Sequence, residues 1–142
     1  MIHITKIFNF EMAHALYGYD GPCKDIHGHS YELHVTVTSD NCQKAGYLAG
    51  TGIMIDFKEL KKIISETIIN KYDHGLVLSK TYLQANPNFS VAENLVVWDF
   101  EPSAENILLY FKNELETVFP KEIRLVRLKL YETNNSFAEW SQ

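Results

Sequence analysis

Residues 27 to 39, "HGHSYELHVTVTS", alternate for thirteen positions without a break. His27, His29, Tyr31, Leu33, Val35 and Val37 fall on one side, and Ser30, Glu32, His34, Thr36 and Thr38 on the other. A period of two over this length commits the segment to a β-strand with one apolar face. The run before it, "ITKIFNFEMAH", has the same period, with Phe8, Phe10, Met12 and His14 on one face and Asn9, Glu11 and Ala13 on the other. Between the two, "LYGYDGPCKD" supplies the Gly, Asp and Pro of an ordered loop. If the strands pair antiparallel, His14, His27 and His29 all lie at the loop end of one apolar face.

Such a face has little use for three imidazoles unless they bind something. A catalytic zinc takes three protein ligands and keeps a fourth position open, and imidazole is a common donor. An H-x-H pair alone is a weak signal, because a histidine on an apolar face is more often a hydrogen-bonded core residue. Convergence of a third histidine beside a Gly/Pro loop favours the metal, so His14, His27 and His29 are the candidate ligands. His34, on the other face, and His3 read as structural. Cys23, four residues before His27, admits two roles: fourth ligand of a closed site, or thiolate base or nucleophile beside an open one. Its position leaves both open. Cys42 reads as a free thiol without a role.

Further along, "DFKELKKIISETIINKY" opens on Asp56 with Glu59 three residues later, a capping-box spacing, and Phe57, Leu60, Ile64 and Ile68 recur at helical spacing. A second helix starts at "PSAENILLYFKNELETVF", with Ser103 as N-cap and Ile107, Leu108, Phe111 and Leu115 on its buried face, before Pro120. Residues 123 to 132 alternate again, with Val126, Leu128, Leu130 and Glu132 on one face, and an Asn-Asn turn precedes a short last strand. The segment from 75 to 102 is the least legible, although "LVVW" reads as a short strand. The order strand, strand, helix, helix, strand, strand predicts one α+β domain over residues 1–142, with helices on one face of an antiparallel sheet.

Composition narrows the functional classes. A net charge of −5 and scattered basic residues argue against broad contact with a nucleic-acid backbone, while leaving room for a small phosphorylated substrate. The alternating start is not the pattern of a signal peptide, no stretch is apolar enough for a membrane span, and two cysteines are too few for a disulfide framework. Cytoplasm is the expected location.

Six separated motifs, "FEMAH", "C-x3-HGHSYEL", "MIDFKELKKII", "YDHGLV", "PSAEN" and "LYET", together resemble the 6-pyruvoyltetrahydropterin synthase family, which includes the 6-carboxytetrahydropterin synthases of queuosine biosynthesis. The resemblance implies a tunnelling fold: a four-stranded antiparallel sheet with two helices, three subunits closing a β-barrel and two trimers forming a homo-hexamer. It places zinc on His14, His27 and His29, the catalytic base on Cys23, and an assisting Asp-His pair, usually from a neighbouring subunit, on Asp73 and His74. Without the resemblance, "DHG" is simply a turn after a helix, where a histidine stabilises the last carbonyls. Glu132 matches the glutamate that anchors the pterin; a carboxylate can accept two parallel hydrogen bonds from the aminopyrimidinone edge, and without a ligand it reads as an exposed turn residue. Ser103 retains one of a usual hydroxyl pair; Ala104 has lost the other.

The implied reaction is the conversion of dihydroneopterin triphosphate to 6-carboxytetrahydropterin, a lyase step releasing triphosphate and acetaldehyde. Three residues between Cys23 and His27 resemble the queuosine branch. Lys24 is a candidate for the triphosphate by position alone. The sister reaction, elimination of triphosphate to give 6-pyruvoyltetrahydropterin, is the nearest alternative. A cupin-like metal binder suits two long helices poorly, and a non-catalytic pterin- or metal-binding protein would not need Cys23, Asp73 and His74.

Overall fold

The structure, a computed structural model, describes residues 1–39 and 46–142; Cys42 lies outside the described residues. The two alternating runs form β1 (Ile4–His14) and β2 (His27–Ser39), paired antiparallel from Ile4↔Val37 to His14↔His27. Next come α1 (Phe57–Ile64), a π-helical turn (Ser65–Ile69) and α2 (Asn70–Tyr72), which make one continuous helical segment. The chain continues through β3 (Gly75–Ser79), α3 (Lys80–Ala85), β4 (Leu95–Trp98), α4 (Ala104–Glu116), β5 (Ile123–Thr133) and β6 (Ser136–Ser141). No helix among the described residues is long and apolar enough to cross a membrane.

The strands form one sheet in the order β4-β3-β1-β2-β5-β6. This corrects the expected four-stranded antiparallel sheet: it has six strands and is mixed, because β3 joins β1 in parallel and β4 joins β3 in parallel. "LVVW" is β4, as expected. β3, "GLVLS", is buried at all five positions. A strand covered on both faces has no alternation to betray it.

Sheet and helices meet in one layer of core. Phe10, Tyr31, Leu33, Val35, Leu128 and Leu130 of the sheet pack against Leu60, Ile64, Ile68, Ile107, Phe111 and Leu115 of the helices. Both predicted N-caps are formed: Asp56 accepts from the Lys58 amide, and Ser103 from the Asn106 amide. Phe57 departs from its predicted stripe; it is 52% exposed and joins Ile2, Ile4 and Ile53 in an apolar groove at the end of the sheet remote from the histidines. The β5 faces also need correction. Val37 pairs with Leu125 while Thr36 pairs with Arg127, so Val126 is an extra residue and the core face runs Ile123, Leu125, Leu128, Leu130.

α3 covers the other face of the sheet, where Tyr82 and Leu83 pack with Ala13, Ala15, Ile26, Leu76 and Leu78. The 75–102 segment thus builds a second, smaller core beneath the loop between β1 and β2. In the main core, Phe111 is fully buried between Phe10 and Tyr72, with ring centroids 6.1 and 5.3 Å away. Phe111→Ala is expected to cost about 3–5 kcal/mol, seen in urea titration as a lower midpoint with an unchanged slope.

Candidate metal and active site

The β1–β2 register sets His14 opposite His27 and Met12 opposite His29, and alternation turns all three imidazoles to one face. Their ring centroids lie 4.6 Å (14–27), 4.9 Å (27–29) and 5.2 Å (14–29) apart. One ligand nitrogen from each lies within 4.8 Å of the other two. His14 is nearly inaccessible, at 2% exposure.

Backbone carbonyls fix two of the rings. His14 Nδ1 lies 2.6 Å from the Pro102 carbonyl oxygen, and His27 Nδ1 lies 2.8 Å from that of Asp25. A carbonyl only accepts, so Nδ1 of each ring carries a proton, and in the neutral form Nε2 keeps its lone pair. Those two Nε2 atoms face each other at 3.1 Å. Two lone pairs at that distance repel unless a cation lies between them. A tetrahedral zinc with Zn–N distances near 2.0–2.1 Å holds its ligand nitrogens roughly 3.3–3.4 Å apart, close to the spacing already present.

The third ring gives independent support. His29 Nε2 is buried and makes no hydrogen bond among the described residues, a cost that a metal bond would remove. Burial holds His14 and His29 below the ordinary imidazole range, against the opposing pull of the Glu132 carboxylate. Both are therefore neutral near pH 7, the form that binds metal. The 3.3 Å contact between His29 Nε2 and Glu132 Oε1 is then neither an ion pair nor a hydrogen bond. The donor set, three imidazoles on one face with the second nitrogens of His14 and His27 held by backbone carbonyls, fits zinc.

Around this centre the structure brings some expected residues together and keeps others apart. Tyr31, fully buried, has its hydroxyl 3.5 Å from His14 Nε2 and forms the floor. Burial, then Glu132 and Cys23, push its phenol well above the usual range, so both acidic groups lie near it. Cys23 is half-buried in a short 3-10 turn (Pro22–Lys24) and is not among the converging ligand atoms. Of the two roles open to it, the geometry disfavours the fourth ligand.

Glu132 continues the core face of Leu128 and Leu130 and so reaches the histidines, as alternation predicts. The β5–β6 pairing shifts here: Tyr131 pairs with Phe137 but Thr133 with Ser136, so Glu132 is an extra residue on β5. Beside it, Ala104, Glu105 and Phe137 line an open pocket. Ser103 caps α4 one residue after Pro102, whose carbonyl holds His14.

Asp73 and His74 follow α2, on the β3 side of β1. The Asp73 carboxylate accepts from the Glu11 amide at 2.9 Å, and the His74 amide donates to the Glu11 carbonyl at 2.6 Å. The bond from the Glu11 amide, foremost, and the neighbouring His74 hold the Asp73 carboxyl below its ordinary range. His74 Nδ1 lies 3.1 Å from Asp73 Oδ1, and the ring is 79% exposed. His74 has φ 62, in the left-handed region, and a Cβ on the next residue, Gly75, would lie 2.9 Å from the Tyr72 carbonyl oxygen. The expected turn is therefore present, with the ring turned to Asp73. Within one chain no contact joins the pair to Cys23 or the three histidines among the described residues.

Three contributors escaped the sequence reading: the Pro102 and Asp25 carbonyls, and the Glu101 side chain, which accepts from the Tyr17 amide at 2.6 Å. Carbonyls belong to every residue and carry no signature. Only the Pro of "PSAEN", adjacent to the N-cap, hinted that this turn matters.

Comparison with known proteins agrees with the site. A family model described as 6-pyruvoyl tetrahydropterin synthase matches residues 3–142. The chain is 32% identical over 146 residues to a Haemophilus influenzae protein named 6-carboxy-5,6,7,8-tetrahydropterin synthase, covering 100% of both. A Rickettsia typhi protein of the same name is 30% identical, with 98% of this chain and 99% of the relative covered. Among solved structures, an uncharacterized Wolinella succinogenes protein superposes with a TM-score of 0.75 at 19% identity, covering 99% of this chain and 97% of that one. The Caenorhabditis elegans 6-pyruvoyl tetrahydropterin synthase superposes with a TM-score of 0.65 at 18% identity, covering 99% and 95%. These two establish likeness of fold. With a family model matched almost end to end and three converging histidines in the fold of that family, the chain belongs to the 6-pyruvoyl tetrahydropterin synthase family and is one of its lyases.

Proposed function

We propose that the chain is a zinc-dependent 6-carboxytetrahydropterin synthase, converting 7,8-dihydroneopterin triphosphate and water to 6-carboxy-5,6,7,8-tetrahydropterin, acetaldehyde and triphosphate. The observation that carries this reading is the convergence of His14, His27 and His29 beside Glu132, in a chain whose full-length relatives at 30% identity or more bear that name. Water enters by mass balance. Once triphosphate has left, the three-carbon side chain holds two oxygens, whereas a carboxylate and acetaldehyde together hold three.

Zinc on the three histidines supplies a Lewis acid for the side-chain oxygens of the substrate. Glu132 accepts hydrogen bonds from the aminopyrimidinone edge of the pterin, with the pocket beside Ala104 and Phe137 receiving the ring. The Ser103 hydroxyl uses one lone pair as a cap and keeps its proton to donate. Cys23 moves protons at the substrate side chain. Asp73 and His74, an exposed pair away from Cys23 in the same chain, serve the site of a neighbouring subunit in a homo-hexamer of two trimers, acting in the cytoplasm. Lys24, exposed beside Cys23, pairs with the triphosphate.

The test is incubation of the zinc-loaded protein with dihydroneopterin triphosphate, followed by mass spectrometry of the pterins and an acetaldehyde assay. A 6-carboxytetrahydropterin peak with equimolar acetaldehyde is expected. Accumulation of 6-pyruvoyltetrahydropterin without acetaldehyde would replace this reading with elimination alone, and no turnover would remove the reaction while leaving the metal site.

A further inference from the structure

The loop from Ala15 to Ile26 carries Cys23 and also holds one candidate metal ligand, because the Asp25 carbonyl accepts a hydrogen bond from His27 Nδ1–H. It is closed on itself by the Leu16 amide donating to the Cys23 carbonyl at 2.8 Å. From below, Tyr82 and Leu83 of α3 pack against Ala15 and Ile26 at its two ends. Its middle, where Tyr17 and Tyr19 are about half exposed, has a different support. The Tyr17 amide donates to Glu101 Oε1 at 2.6 Å across 84 residues of sequence.

Glu101 is itself held in place. Its carbonyl accepts from the Asn106 side-chain amide at 2.9 Å and from the Ser103 amide at 3.0 Å. The next residue, Pro102, is buried and binds His14 Nδ1. Two consecutive residues at the start of α4 thus reach the two halves of the site: Pro102 orients His14, and Glu101 holds the loop that positions Cys23 and His27.

We propose that Glu101 is a positioning residue, whose carboxylate fixes the Ala15–Ile26 loop so that Cys23 stands at a set place against the three histidines. The consequence for turnover rests on the reading of Cys23 as the reacting thiol; the consequence for loop order does not. A charge-assisted bond to a backbone amide is among the stronger single hydrogen bonds, and a glutamine carbonyl can replace its acceptor.

The experiment uses the full-length zinc-loaded protein in a Cys42→Ser background, so that Cys23 is its sole thiol. Wild type, Glu101→Ala and Glu101→Gln are compared for the rate of Cys23 alkylation by iodoacetamide, zinc content, kcat and KM. Glu101→Ala is expected to raise the alkylation rate about tenfold and lower kcat about tenfold, with zinc retained and KM changed less. Glu101→Gln should stay near wild type in both. An unchanged alkylation rate in Glu101→Ala, or failure of Glu101→Gln to restore both values, overturns the inference. A faster alkylation rate with unchanged kcat also overturns it, unless Cys23→Ala keeps turnover as well; that result would strike down the catalytic role of Cys23 and leave the loop clamp standing.

Discussion

His29→Ala is expected to abolish stoichiometric zinc binding and to reduce turnover by about a thousandfold or more, while leaving the zinc-free protein as stable as the wild type or slightly more so. Its Nε2 is buried without a hydrogen-bond partner among the described residues, so truncation removes an unsatisfied polar atom and breaks no hydrogen bond found there. The ring is partly exposed, so the cavity left is small. With zinc the sign reverses. A three-ligand site reduced to two binds far more weakly, and the stabilisation that zinc lends the folded state, RT ln(1 + [Zn]/Kd), falls with it. The Lewis-acid contribution of several kcal/mol to the transition state corresponds to the loss in rate. Thermal unfolding with and without zinc, and metal analysis after dialysis, check both halves. His29→Ala that still binds one equivalent of zinc would remove it from the ligand set.

Cys23→Ala should separate metal binding from proton transfer. Among the described residues the converging ligand atoms come from histidines alone, so zinc content and affinity are expected to stay at wild-type values. Turnover should drop by about 10²–10⁴-fold, the usual worth of a positioned acid or base. Measured zinc affinity also tests the reading that the geometry disfavours: if the substitution weakens zinc as much as His29→Ala does, Cys23 is a fourth ligand. Undiminished turnover would leave the thiol without a part in the chemistry.

β1 and β2 were legible because each buries one face only, so Phe8, Phe10, Met12 and His14, and likewise Tyr31, Leu33, Val35 and Val37, announce themselves by alternation. The same pattern put each of the three imidazoles on the apolar face of its own strand before any pairing was known. α4 was legible from its cap and its apolar stripe, and the start of α1 from its cap. β3 was not, because Gly75–Ser79 is covered on both faces and its apolar run has no period. The extra residues Val126 and Glu132 were equally hidden, since a bulge depends on how two strands share hydrogen bonds, and one strand alone does not contain that relation.

By itself, then, the sequence determined which side chains of β1 and β2 share a face, because that follows from backbone geometry over neighbouring residues. It thereby selected the three histidines that converge as candidate metal ligands. The resemblance of six motifs to a known family added Cys23, Asp73, His74, Ser103 and Glu132 as candidates. Only the tertiary structure decided how these residues stand to one another. It brought the Pro102 carbonyl to His14 across 88 residues and the Glu101 carboxylate to Tyr17 across 84, and it aimed Glu132 at His29. It also set Asp73 and His74 apart from the site of their own chain. The physical reason is that orientation of a ligand comes from hydrogen bonds between segments remote in sequence, and the groups that supply them are largely backbone carbonyls and amides that every residue carries.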